Sequence, residues 1–145
     1  MKQIFQIIIG IIIIFVSSSA GAEEWRLFDH YNDHYYYDKE SINYPLENSR
    51  EIIGVWQKVI FNDESLDRII SHLGPKYADL VEVISLIEIN CYTKHAQIKS
   101  KAYYDKRGNA IDTMNKTRSD WKAIEATSPL NQLYYAVCPV KPSKK

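Results

Sequence analysis

Only two cysteines occur in the chain, Cys91 and Cys138, and the segment at its start directs them to an oxidising compartment. Lys2 supplies a positive charge, residues 4–16 form an almost unbroken apolar run, and Ala20-Gly21-Ala22 offers the small residues a signal peptidase accepts. The run is about 13 residues, short of the roughly 20 that a helix needs to cross a bilayer, so 1–22 reads as a cleavable signal peptide rather than an anchor. No cysteine follows the small residues, which argues against a lipid-anchored N-terminus at that site. In an exported chain an even cysteine pair is most simply a disulfide; the alternative is a pair of free or metal-binding thiols, which no CxxC motif supports. A disulfide here closes a loop of about 48 residues and constrains the unfolded chain by roughly 4 kcal/mol on the chain-entropy account.

Residues 23–145 are the length of one domain, large enough for one hydrophobic core and with no further membrane span. Signal removal takes only Lys2 from a balance of 18 basic and 18 acidic side chains. That near-neutrality argues against nucleic acid, which calls for a strongly basic face. The aromatic content is dominated by 11 tyrosines, which suit half-buried strands and contact surfaces alike.

The apolar rhythm alternates first, then turns helical, then alternates again. Residues 25–28 and 34–38 read as strands around a polar turn, with Ser41-Ile42-Asn43 continuing the second. A better strand spans 50–61, with Ile53, Val55, Val59 and Phe61 on one side and Ile52, Gly54, Trp56 and Lys58 on the other. Leu66, Ile69, Ile70 and Leu73 then make one helical stripe, capped by Asn62 or Asp63 and stopped by Gly74-Pro75. From 80 to 91, Val81, Val83, Ile87 and Ile89 share a face with Cys91, while Glu82 and Glu88 alternate with Ile84 and Leu86. In 94–104, Ala96, Ile98, Ala102 and Tyr104 are the expected apolar side, and His95, Gln97, Lys99 and Lys101 the wet one. A turn at 105–109 leads to a return strand over 111–115. A short strand or turn at 121–124 precedes a terminal helix over 130–138, which the disulfide would staple to the strand ending at Cys91. The predicted fold is α+β: an antiparallel sheet of about six strands, one amphipathic helix, a short C-terminal helix and one disulfide.

A series of landmarks carries a resemblance. They are Trp25, Tyr36-Tyr37-Asp38 with Ser41-Ile42, the strand of Val55, Trp56 and Lys58, Glu88-Ile89-Asn90-Cys91, Tyr104-Asp105 with Gly108, Trp121, Ser128-Pro129 and Val137-Cys138. In this order they resemble the surface-adhesin protein E-like family of bacterial envelope proteins across nearly the whole of 23–145. The resemblance implies a small antiparallel sheet packed with helices, a Cys91–Cys138 disulfide and export from a Gram-negative cell. It also implies contact with host matrix and plasma proteins, and a capacity to form homodimers. The family's namesake is a lipoprotein, a pattern from which this N-terminus departs, so the compartment stays open between periplasm, medium and cell surface.

Candidate sites follow from residue type and spacing. Asp29, His30, Asp33 and His34 are metal-ligand types, but the tyrosine run after them favours a turn and strand, and a solvated loop is the simpler reading. No metal or cofactor is expected. Tyr31, Tyr35, Tyr36, Tyr37 and Tyr44 form an aromatic patch; in a strand Tyr35 and Tyr37 point one way and Tyr36 the other, so one set is core and the rest a candidate contact surface. Lys94, Lys99, Lys101, Lys106 and Arg107 suggest a basic stripe along one strand face and its turn, either a binding stripe or a solvated edge that deters strand addition. Tyr31, Tyr35, Tyr37, Lys99 and Lys101 are therefore the candidate partner-binding residues. Trp56 and Trp121 are expected in the core. Glu82 and Glu88 are the one carboxylate pair worth weighing for acid–base work, against a solvated sheet face. With no GxSxG and no phosphate-cradling glycine loop, the chain is expected not to be an enzyme. The leading expectation is an exported binding module with a protein partner. The alternatives are an envelope structural or assembly component and, less favoured, a small periplasmic enzyme or ligand carrier.

Overall fold

In the computed structural model, residues 23–30 and 32–139 are described, and the signal segment, Tyr31 and the closing lysines lie outside them. The strands are β1 (Trp25–Asp29), β2 (His34–Asp38), β3 (Ile52–Ile60), β4 (Leu80–Asn90), β5 (His95–Asp105), β6 (Ala110–Asn115) and β7 (Lys122–Ala123). The helices are α1 (Asp63–Leu73) and α2 (Pro129–Val137). β1 to β6 lie side by side in chain order, every neighbouring pair antiparallel. β7 pairs with the start of β5 and β6 with its end, so two short strands share that edge. The α+β class, the antiparallel sheet and both helices match expectation, with β7 as a seventh strand. No helix among the described residues is long and apolar enough to cross a membrane.

Local chemistry accounts for the boundaries. The Asn62 side chain accepts a hydrogen bond from the Ser65 N–H at 2.8 Å and so caps α1, while Asp63 and Glu64 sit at the positive end of its dipole. Gly74 at φ 101° ends the helix in a conformation that a side chain would strain, and Pro75 then opens a 3-10 turn, Pro75–Tyr77. At the β5–β6 turn the Asp105 carboxylate accepts from the Arg107 and Asn109 N–H groups at 2.8 and 2.9 Å, and Gly108 takes φ 80°. Ser41-Ile42-Asn43 is not a strand continuation. A 3-10 turn, Lys39–Ser41, intervenes, and Asn43 makes a single bridge to Gly54. A Cβ at Gly54 would stand 2.8 Å from the Asn43 side-chain oxygen, so a larger residue there requires the Asn43 side chain to shift.

Both helices lie on the same face of the sheet. α1 sets Leu66, Ile69 and Ile70 against Tyr77, Leu80 and Val83 at one end. α2 sets Leu130, Leu133 and Tyr134 against Val55, Ile87, Ile89 and Ala96 at the other. The disulfide joins Cys91, just past β4, to Cys138, the C-cap of α2. The Tyr134 hydroxyl donates to the Cys91 carbonyl at 3.1 Å, so the helix and strand are tied twice.

Two bulges revise the expected faces. One extra residue, Val81, enters β4 between Leu80 and Glu82; Leu80 thereby takes the core place expected of Val81 and is 2% exposed. A second bulge in β5 leaves Lys99 unopposed: Ile98 lies across from Ile87, but Lys101 lies across from Ser85 and Ala102 from Ile84. Since directly opposed residues share a face, Ile98 and Lys101 both face the helices, and Ala102 faces away.

Candidate functional site

The sheet presents two surfaces with different chemistry. The face away from the helices carries the row Leu27, Tyr36, Lys58, Ile84, Ala102 and Thr113, each directly opposed across neighbouring strands. Trp56 with Leu86, and Ile60 with Glu82, flank that row. Leu27 is 49% exposed, Trp56 37% and Ile60 36%. The Lys58 ammonium sits 4.4 Å from the Trp25 ring centre and 5.6 Å from that of Tyr36, holding both rings over the sheet. Both hydrophobic cores lie on the opposite side, so Trp56 is a surface residue rather than the core piece expected of it. Alternation alone placed it on an apolar strand side, and nothing in the sequence says which side the helices choose.

The helix face holds a groove between α1 and α2. One part has a volume of about 490 Å³ and the other about 310 Å³; Tyr35, Gln57 and Ile98 line both, so the two are continuous. Gln57, Ser85 and Lys101 are directly opposed across β3, β4 and β5 and form a polar row between two apolar zones. Burial lowers the Lys101 pKa, helped by the nearby charge of Lys116. Burial also raises that of Tyr35, with Asp33 and Asp29 adding to the effect. The signal for this row is a gap in the sequence: Gln57 interrupts Val55 and Val59, and Ser85 interrupts Val83 and Ile87, at inward positions of adjacent strands.

Of the candidate partner-binding residues, the structure brings Tyr35 and Lys101 into that groove. Tyr37 packs in the α2 core, its ring 6.1 Å from Phe28. Lys99 is the bulged residue and accepts the Lys116 N–H on its carbonyl at 2.8 Å. Tyr31 lies outside the described residues. The five basic residues do not form one stripe, because the bulge at Lys99 turns Lys101 toward the helices and the others have separate partners. Lys94 stands over the Tyr134 and Tyr135 rings, Lys106 pairs with Asp79 at 3.1 Å, and Arg107 pairs with Asp105 at 3.7 Å.

Several other polar groups have structural roles. Asp33 is buried and accepts the Asn62 N–H at 3.0 Å, joining the start of β2 to the cap of α1. Among the described residues no group of three or more metal-ligating side chains comes together. Glu82 and Glu88, six residues apart on β4, are separated by about 20 Å of strand, beyond the reach of an acid–base pair. Glu88 accepts from the Gln97 side-chain amide at 2.7 Å. Beneath α1, Asp112 accepts from the Tyr77 hydroxyl at 2.7 Å and from Lys76 at 2.9 Å. These bonds hold Asp112 down at a pKa of about 2 and push Tyr77 up to about 12.

Compared with known proteins, the chain matches the family model of surface-adhesin protein E over residues 25–139. Neither a curated protein nor a solved structure matches it significantly.

Proposed function

Because the chain belongs to the surface-adhesin protein E family, we propose that it is an exported, non-enzymatic binding module that docks a protein partner on the uncovered face of its sheet. The observation that carries this reading is the exposure of Leu27, Trp56 and Ile60 around a central row of Tyr36, Lys58 and Ile84. Tryptophan and tyrosine supply large rigid contact area and dominate interface hot spots, and a contiguous apolar patch with a polar rim is the usual anatomy of such a site. His34, Glu82, Ser100 and Thr113 provide the rim. In this reading 1–22 is removed on export, 23–145 is one domain, and the module works in the periplasm, in the medium or at the cell surface.

Binding of the purified chain to immobilised extracellular-matrix proteins, run beside binding to the cell's own envelope proteins, tests the proposal. A saturable partner in the first set supports an adhesin. Saturable binding only in the second selects the envelope-component alternative. Binding that survives Trp56→Lys unchanged would sink the uncovered face as the docking surface.

A further inference from the structure

The groove on the helix face is unrelated to that docking surface, and its floor has an uncompensated charge. Lys101 forms no ion pair among the described residues; its one ring neighbour is Tyr103, 5.8 Å from the ammonium. Asp120, the acidic residue among those lining the groove, is already engaged by Lys116 at 3.1 Å and Lys122 at 3.6 Å. A half-buried ammonium without a counter-ion is costly to keep, and a long flexible lysine normally extends to water. Here the β5 bulge turns it inward, beside Gln57 and Ser85, two buried side chains with hydrogen-bonding capacity. Much of the surrounding wall is apolar, with Val59, Phe61 and Val83 on the α1 side, Ile87 and Leu130 on the α2 side and Ile98 common to both, while Arg68 and His72 of α1 also line the part that holds Lys101. Pockets that take small ligands have this make-up, a mainly apolar lining with a few convergent polar groups, and volumes from about 300 Å³ upward.

We propose that the groove between α1 and α2 binds a single-chain amphipathic carboxylate, with its alkyl chain along Val59, Val83 and Ile98 and its head group on the Lys101 ammonium. Of the other cations lining the groove, Arg68 pairs with Glu64 at 3.4 Å, and Lys116 and Lys122 share Asp120. Lys101, beside neutral Gln57 and Ser85, is thus the lysine there with no ion pair among the described residues, and it suits a carboxylate head group. The head group supplies the missing counter-ion, and the chain covers apolar wall that the two helices leave open.

Dodecanoate, titrated calorimetrically into the disulfide-bonded chain below its micellar concentration at pH 8, is the probe. The expected result is saturable one-to-one binding, weakened about tenfold or more for dodecyltrimethylammonium, which has the same chain and the opposite charge. Lys101→Met keeps the length and removes the charge; it is expected to lower dodecanoate affinity by a similar factor without lowering the melting temperature. Amide shifts on binding are expected at Gln57, Ser85 and Ile98. The proposal is overturned by absence of saturable dodecanoate binding, by equal affinity for the two amphiphiles, or by unchanged affinity in Lys101→Met. Shifts confined to Leu27, Trp56 and Ile60 overturn it as well.

Discussion

The two faces of the sheet are built from the same strands and have opposite fates. On the helix side Val55, Ile87, Ile89 and Leu133 are almost wholly buried, and a disulfide and a tyrosine hydrogen bond hold α2 down. On the other side Trp56 and Ile60, residues of the same type on the same β3, remain more than a third exposed. The difference comes from coverage, not from composition: both helices pack on one face. The first face therefore carries most of the stability, and the second retains apolar area that only a second molecule can bury.

Breaking the covered face gives the largest effects. Cys91→Ser removes the link across 47 residues and is expected to cost about 4 kcal/mol in urea unfolding, and reductant is expected to reproduce the loss in the wild type. Leu133→Ala empties a fully buried site under α2 and is expected to cost about 3 kcal/mol in the same assay. A smaller contribution comes from the Asp112 carboxylate. Its pKa lies below its ordinary value of 3.8, at about 2, so it stabilises the fold above pH 4, and that contribution is lost as pH falls from about 4 to about 2. Asp112→Asn is expected to flatten the melting-temperature profile in that window; a profile identical to the wild type would show that the Tyr77–Asp112 link contributes nothing.

Much of the fold was legible because local chemistry decides it. The strand at 34–38, the Asn62 cap, the Gly74-Pro75 stop and the turn at Asp105 each follow from a few neighbouring residues. What escaped depends on partners far along the chain. The bulges at Val81 and Lys99 are set by how β4 meets its neighbours, yet each inverts the face of every residue beyond it. For that reason Lys101 was expected on the wet side with Lys99 and instead reaches the groove. Trp56 was misplaced for a related reason, since its strand is apolar on both sides and only the position of the helices distinguishes them. The polar row of Gln57 and Ser85 was visible as gaps in two apolar series, but its meaning emerges only once the strands are paired.

Measuring stability and partner binding together in the double variant Trp56→Lys/Ile60→Lys tests the contrast between the faces most directly. The account predicts a melting temperature within a few degrees of the wild type, because both side chains already meet solvent, together with loss of partner binding. Unfolding of the variant, or a stable variant that binds its partner as the wild type does, would contradict it.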